Sequence, residues 1–335
     1  MSRRSVGLCA GLLLGGLVLA GHLSAYDQYL GVTLLAYAVC AQAWNVLSGY
    51  SGQLSLGVGA FVGVGGYTSG LLMLHQGVGW IPSTAIGTVF SGIFAFVLGF
   101  PLLRLRGSYF AVGTLAAALA LGTAGQLWTF AGAEAGFVLP SGLPSSTNLL
   151  RAAVVAFVLA MGVVLVIRDS TFGTRMVAVR DHEQAAAGIG ISTFKYRMAA
   201  LVLSGLLTGL AGALIAMQTI TVDPISMFSI NWTVNATLMV VVGGTATVVG
   251  PLIGVVLVYY VLTQELQSLE ALSAIIEGGL LMLIMRFSPG GLWPMLLRAA
   301  GALRRRRSNP ASRAVPTAIT PALGDQSISV RQPTS

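Results

Sequence analysis

Long apolar runs parted by short polar breaks set the pattern of this chain. A membrane-spanning helix needs about 20 mostly apolar residues. Runs of that kind fall near 6–23, 29–48, 54–74, 83–103, 109–130, 150–167, 198–220, 248–263 and 271–286. The stretch 231–244 is shorter and closes on Gly243-Gly244; it reads either as a short span or as a half-helix that dips in from one side. The pattern predicts an all-α integral membrane protein with about ten transmembrane helices, some of them short or discontinuous. The first run, behind Arg3 and Arg4, also has the features of a cleavable leader, with Leu23-Ser24-Ala25 as a weak cleavage site. Its length favours a retained first span.

Positive charge orients the spans, because loops on the cytoplasmic side collect Arg and Lys. With Arg3 and Arg4 inside and the spans alternating, Arg104, Arg106, the stretch 168–197, Arg286, Arg298 and Arg304-Arg305-Arg306-Arg307 all fall inside. Only Arg151 falls outside. This works if 231–244 and 248–263 together enter and return, which makes ten crossings with both termini cytoplasmic. With nine, Arg286 and the tetra-arginine run would be stranded outside.

Residues 168–197 are a polar island between apolar spans, holding Arg168, Asp169, Arg175, Arg180, Asp181, His182, Glu183, Lys195 and Arg197. Asp181 with Gln184 three residues on has the spacing of a capping box. The run Glu183–Ala187 favours helix, and Gly188 or Gly190 would end it. The expectation is a short, stiff helix flanked by arginines, shaped as a peg for a partner's groove.

Composition narrows the class. The chain of 335 residues is 55% hydrophobic and 8% charged, against about a quarter charged in soluble domains, and its mean hydropathy is +0.84. So little charge could not cover a soluble surface. The 43 glycines suit close helix packing where no water drives association. The net charge of +8 comes from residues that border the spans, without a basic groove interleaved with aromatics, so no nucleic-acid partner is expected. Cys9 and Cys40 both lie in apolar runs, which implies neither a disulfide framework nor a metal site. Residues 1–300 read as the transmembrane domain. Residues 301–335 read as a basic, Pro/Ser/Thr-rich tail without apolar period, expected to be disordered; its arginine run reads as a stop-transfer flank or a contact for anionic membrane lipid.

The chain offers no catalytic constellation. His22, His75 and His182 are scattered, and no Ser/His/Asp set, HExxH or phosphate-binding P-loop appears. It is therefore read as a non-enzyme that binds no cofactor; ATP, if used, belongs to other subunits. Candidate pathway residues lie elsewhere. Asn45 to Tyr67 is dense in glycine and contains Asn45, Gln53 and Ser55. This density implies either tight helix packing, with Gln53 facing a neighbour, or a discontinuous helix whose freed polar groups meet a solute. Gly243, Gly244 and Thr245, followed by Gly250-Pro251, break a helix at membrane depth and must face protein or a water-filled cavity. Glu277 lies inside the last span, where a carboxylate is a functional candidate by default; Asp223 stands at an outer end beside Pro224. Leu105 to Phe110 reads as interface anchoring by Arg106 and Tyr109.

Five ordered blocks carry a family resemblance: Ser48–Gly57, Leu105–Ala111, Arg180–Ala186 through Gly190-Ile191, Gly205–Ala213, and Gly243-Gly244 to Gly250-Pro251 with Ser288–Leu292 beyond. Over roughly 36–293 the chain resembles the permease subunits of branched-chain amino acid ABC importers, in particular the second, M-type subunit of the pair. It departs from the family pattern at Val58, often His there, at Ala246, usually Gly, and at Ala131-Gly132-Ala133 in place of Thr-Gly-Gly. The resemblance implies a subunit of the bacterial inner membrane that forms half of a translocation pathway. Its implied partners are a second permease, two cytoplasmic ATP-binding subunits and a periplasmic substrate-binding protein. It further implies that Arg180, Asp181, Glu183, Ala185, Ala186 and Gly190 belong to the loop that couples to the ATPases. Urea, amide and sugar permeases share the wider family, so a urea or amide cargo is the nearer alternative. A stand-alone secondary transporter is the alternative of another class; the shortage of membrane carboxylates argues against it.

Overall fold

The computed structural model describes residues 3–140, 142–259, 279, 291–293 and 295, with backbone alone for 3–6 and 8–10. They belong to one compact unit within Met1–Met295. Apart from Gly279, the expected span 271–286 with Glu277 lies outside the described residues, as does the tail 301–335.

Helix follows apolar run closely. α1 covers Arg3–Leu19, α2 Ala25–Trp44, α3 Val58–Gln76, α4 Trp80–Leu102, α5 Ser108–Leu127 and α6 Ser146–Asp169. The polar island folds as α7 (Thr171–Asp181) and α8 (Glu183–Gly188), and α9 spans Thr193–Thr219. Beyond it come α10 (Pro224–Met227), α11 (Asn231–Gly243) and α12 (Gly250–Val258). A two-residue antiparallel ladder, β1 (Phe137–Val138) on β2 (Thr221–Val222), ties the α5–α6 loop to the exit of α9. Among the described residues seven segments are long and apolar enough to cross a membrane. The expected ten crossings and the side of each terminus are not fixed by that count.

Small residues let the inner helices touch. α9 packs on α3 and α4: a side chain at Gly209 would strike Ser91, and one at Gly212 would strike the backbone of Val62. The Ser91 hydroxyl donates to the carbonyls of Phe61 (3.1 Å) and Gly205 (2.9 Å), stitching three helices at one buried point. Such hydroxyl contacts replace the hydrophobic drive that lipid removes. α4 and α9 run antiparallel, since Thr84 meets Met217 and Phe100 meets Phe194. The Arg104–Arg106 turn and the start of α9 therefore share one end of the bundle with the polar island.

Two helices are broken where glycine density suggested it. α2 widens at Asn45–Tyr50 into a π-helical turn, and residues 51–57 are then non-helical although Ser51, Gln53 and Ser55 are buried. The run near 54–74 thus begins as extended chain, with helix from Val58. The stretch 231–244 is the half-length helix α11. Alone, at 1.5 Å per residue, it rises about 20 Å, short of the roughly 30 Å hydrocarbon core; taken together with α10, as Pro224–Gly243, it is one of the seven segments long enough to cross. It is preceded by α10 and a bend at Phe228–Ile230.

The polar island corrects one expectation. Asp181 does not cap the short helix. It is the last residue of α7, and its carboxylate takes the Nε–H of neighbouring Arg180 at 2.8 Å. The N-cap of α8 is His182, which makes no side-chain capping bond. The cap lies earlier, where the Ser170 hydroxyl accepts the Gly173 N–H at 3.2 Å and starts α7. The adjacent guanidinium outcompetes a backbone amide for the carboxylate because both partners are charged. At the other end the glycine expectation holds. Ile191 N–H bonds the Ala186 carbonyl across Gly190, which takes the left-handed φ of +84° that lets α8 stop.

Candidate functional site

The two helix breaks meet. Asn45, the first residue of the π turn and fully buried, clasps the α11–α12 connection. Its Oδ1 accepts the Ala246 N–H at 2.8 Å, and its Nδ2 donates to the Thr247 carbonyl at 2.8 Å. One turn earlier the Gln42 amide donates to the Val248 carbonyl at 2.9 Å. Backbone groups freed by a break inside a membrane each cost several kcal/mol if left bare. These two side-chain amides satisfy three of them from across the fold.

The extended segment 51–57 is held in the same way. Trp44 Nε1 donates to the Ser55 carbonyl (2.9 Å), the Ser48 hydroxyl to the Gln53 carbonyl (2.8 Å), and Thr114 Oγ1 accepts the Leu56 N–H (3.0 Å). Thr233 of α11 donates to the Leu56 carbonyl at 3.2 Å. The Gln53 side-chain oxygen is buried and has no hydrogen-bond partner. Ser55 turns its hydroxyl onto the Gly57 N–H at 3.2 Å. An unpaired acceptor amid satisfied neighbours is a place for a donor from a solute.

The polar island reaches this centre. Arg180 Nη1 donates to the Gly49 carbonyl at 2.8 Å, at the far end of the π turn from Asn45. Its alkyl stem lies over Gly52, where a Cβ would stand 2.5 Å from Cγ; Gly52 also has φ +73°. Gly49 is pinched from two sides, since a Cβ there would collide with the Asn45 Oδ1 and stand 2.8 Å from the Ala246 nitrogen. Apolar packing runs in parallel: Met176 of α7, Val46, Leu47 and Tyr50 of the π turn, and Val248 of the second break share one buried cluster. α7 is thus bolted to both breaks by one guanidinium and a hydrophobic core.

α8 is the free end of the same assembly. Ala186 is its one buried residue, and Ala185 is exposed. Ile189, just past its end, is 77% exposed. Glu183 pairs with Arg197 at the start of α9 at 2.8 Å. Arg175 donates to the Tyr196 hydroxyl (3.0 Å), and that bond holds its pKa above the ordinary value. Gly243 packs against the Gly250 backbone, Gly244 adopts φ +128°, and Thr245 is exposed at the break. The site therefore joins Asn45, Gly243, Gly244 and Arg180, while Gln53 and Ser55 sit on the adjoining extended segment. Sequence reading missed Gln42, Thr114, Thr233 and Ile189, and met Gly49 only as one of a dense run of glycines. Gln42, a polar side chain inside an apolar run, was a legible signal; Thr114 and Thr233 were not. Among the described residues no group of three His, Cys, Asp or Glu could hold a metal.

Helices long and apolar enough to span a membrane, interrupted at buried breaks and joined to an exposed polar knob, are those of a multi-pass membrane protein. Residues 28–285 match the family described as branched-chain amino acid transport system / permease component, and the chain belongs to that family. The high-affinity branched-chain amino acid transport system permease protein LivM of Salmonella typhimurium is 28% identical over 293 residues, covering 78% of this chain and 68% of the relative. A probable LivM of Methanocaldococcus jannaschii is 25% identical over 316 residues, covering 77% and 90%. The L-arabinose ABC transporter permease protein AraH of Azospirillum brasilense is 30% identical over 129 residues, 36% of this chain and 38% of its own. No solved structure matches the chain. It is an ABC permease of the branched-chain amino acid family and a multi-pass protein of the bacterial inner membrane.

Proposed function

We propose that this subunit forms half of a translocation pathway for branched-chain or other neutral amino acids, and that residues 168–197 receive the force of cytoplasmic ATPases. A second permease completes the pathway, two ATP-binding subunits dock on the knob α7–α8, and a periplasmic binding protein delivers the solute. The subunit crosses the membrane ten times with both termini cytoplasmic, an arrangement supported by the gathering of arginine-bearing turns at one end.

One observation carries the reading: Arg180 links the knob to the Gly49 carbonyl, and the same π turn, through Asn45, holds the Ala246–Thr247 break. A state change passes only through an element that packs differently in two states. A π turn is such an element, because its i→i+5 bonds can rearrange to i→i+4 at little cost in bond number. When ATP draws the ATPases together, α8 is pushed and α7 moves with it. Arg180 then shifts the turn, and the Asn45 clasp on the second break tightens or opens. Thr245, exposed at the break, and the unpaired Gln53 oxygen offer polar groups suited to a zwitterion. The many aliphatic side chains nearby suit its hydrocarbon part.

The test is ATP-dependent uptake of labelled leucine, urea and a pentose by the complex reconstituted with its ATPases and binding protein. Leucine uptake that requires ATP and outruns the other two is the expected result. Uptake that persists without the ATPases, or that favours urea or the pentose, contradicts the proposal.

A further inference from the structure

A cleft of about 910 Å³ opens between α4 and α5 over the face of α3. It is walled by Val64, Phe94 and Leu121 at its inner end. His75, Gln76 and Trp128 stand at its other end, where α3 and α5 stop. We infer that it is a binding site for one bilayer lipid, with an acyl chain between α4 and α5 and the headgroup beside His75 and Gln76.

Three observations select this occupant. The first is length. From Val64 to Gln76 along α3 the cleft runs about 18 Å at 1.5 Å per residue, close to the roughly 15 Å that one leaflet contributes to the hydrocarbon core. The second is polarity. The inner end is carbon, while the end at His75 and Gln76 is polar and rimmed by Trp128 and Phe130, half-exposed aromatics of the kind that sit at headgroup level. His75 stacks on Phe130 with ring centroids 4.3 Å apart, which fixes that rim. The third is the wall itself. A partner helix needs an unbroken seam of Gly, Ala or Ser to come close; here Ala124 and Gly125 are flanked by the rings of Phe90, Phe94, Trp128 and Phe130. Rings of that size suit a chain that can bend around them.

A zwitterionic amino acid fits poorly. Its two charges would meet only Tyr67, Thr68, His75, Gln76 and Trp128 as polar side chains, none of them a charge partner, and burying unpaired charge costs several kcal/mol. The Tyr67 hydroxyl is buried without a hydrogen-bond partner. Its ring leans on Phe137, which also covers Gly70, a turn nearer the polar end.

The test uses the assembled transporter in phosphatidylethanolamine–phosphatidylglycerol vesicles doped with a phospholipid carrying a diazirine midway along one chain. Adducts are mapped by mass spectrometry. Labelling of Thr68 and Leu121 at the level of the exposed α4 residues Ile93 and Val97, and well above buried Leu238, is the expected result. Ala124 is exposed at the mouth, so Ala124→Trp is tolerated and should abolish the inner label while leaving Ile93 labelled. Inner labelling no higher than at Leu238, or adducts that Ala124→Trp does not reduce, would overturn the proposal. So would cross-links from these positions to the second permease in place of lipid. Leucine uptake is measured separately and does not bear on either outcome.

Discussion

At the scale of single residues, Asn45 has the most to lose. Asn45→Ala leaves the Ala246 N–H and the Thr247 carbonyl unpaired in a buried site, at about 1–3 kcal/mol for each group. Asn45→Asp keeps the acceptor for Ala246 but sets a buried carboxyl oxygen against the Thr247 carbonyl, so it too should melt below wild type in detergent. Equal midpoints for all three proteins would contradict the clasp. Ala246 supplies a second test. It is one of three non-glycine residues with positive φ among the described residues, at +56°, and Ala133 is another at +51°. Both are positions where the family resemblance implies glycine, and each holds an alanine in a strained conformation. Ala246→Gly should raise stability by up to about 1 kcal/mol, since an L-residue in the left-handed region costs about 1–2 kcal/mol. A lower melting temperature for Ala246→Gly would count against that reading. Gly49→Ala has no such freedom. Its Cβ would collide with the Asn45 amide, and overpacking of that kind costs about 1–3 kcal/mol.

At the scale of elements, the helices and their breaks were legible because each answers a strong local constraint. Apolar length sets a span, and glycine density marks where a helix cannot run smoothly. The cap of α8 was misread because the nearest partner of Asp181 is the neighbouring Arg180, a competition that capping statistics do not weigh. The clasp itself was illegible, since Asn45 and Ala246 are 201 positions apart and nothing local points from one to the other. The knob makes its own prediction. Gly190 has open space around it, so Gly190→Val meets only the strain of its left-handed φ, about 1–2 kcal/mol. That strain should disturb the end of α8. Leucine uptake should fall while membrane insertion, read by immunoblot, stays at the wild-type amount. Replacing Glu183 with Trp should act alike by displacing its contact with Arg197. The ion pair by itself is half-exposed and worth at most about 1 kcal/mol. Full uptake by both variants at normal expression would remove the coupling role of α8.

At the scale of the whole molecule, the proposed function has a motor inside the cell move a gate through the path from α8 to the Asn45 clasp. The orientation is tested with Gly188→Cys, an exposed position with no neighbour within 4 Å. A membrane-impermeant maleimide should label it in inside-out vesicles and leave it unlabelled in intact spheroplasts. The most direct measurement of the path is the number of leucine molecules moved per ATP hydrolysed by the reconstituted complex carrying Arg180→Ala. That change deletes the bond to the Gly49 carbonyl and leaves Met176 and its apolar neighbours in place. The predicted result is continued ATP hydrolysis with a sharply reduced yield of leucine per ATP. A yield equal to that of wild type, in complexes assembled to the same amount, would contradict the account.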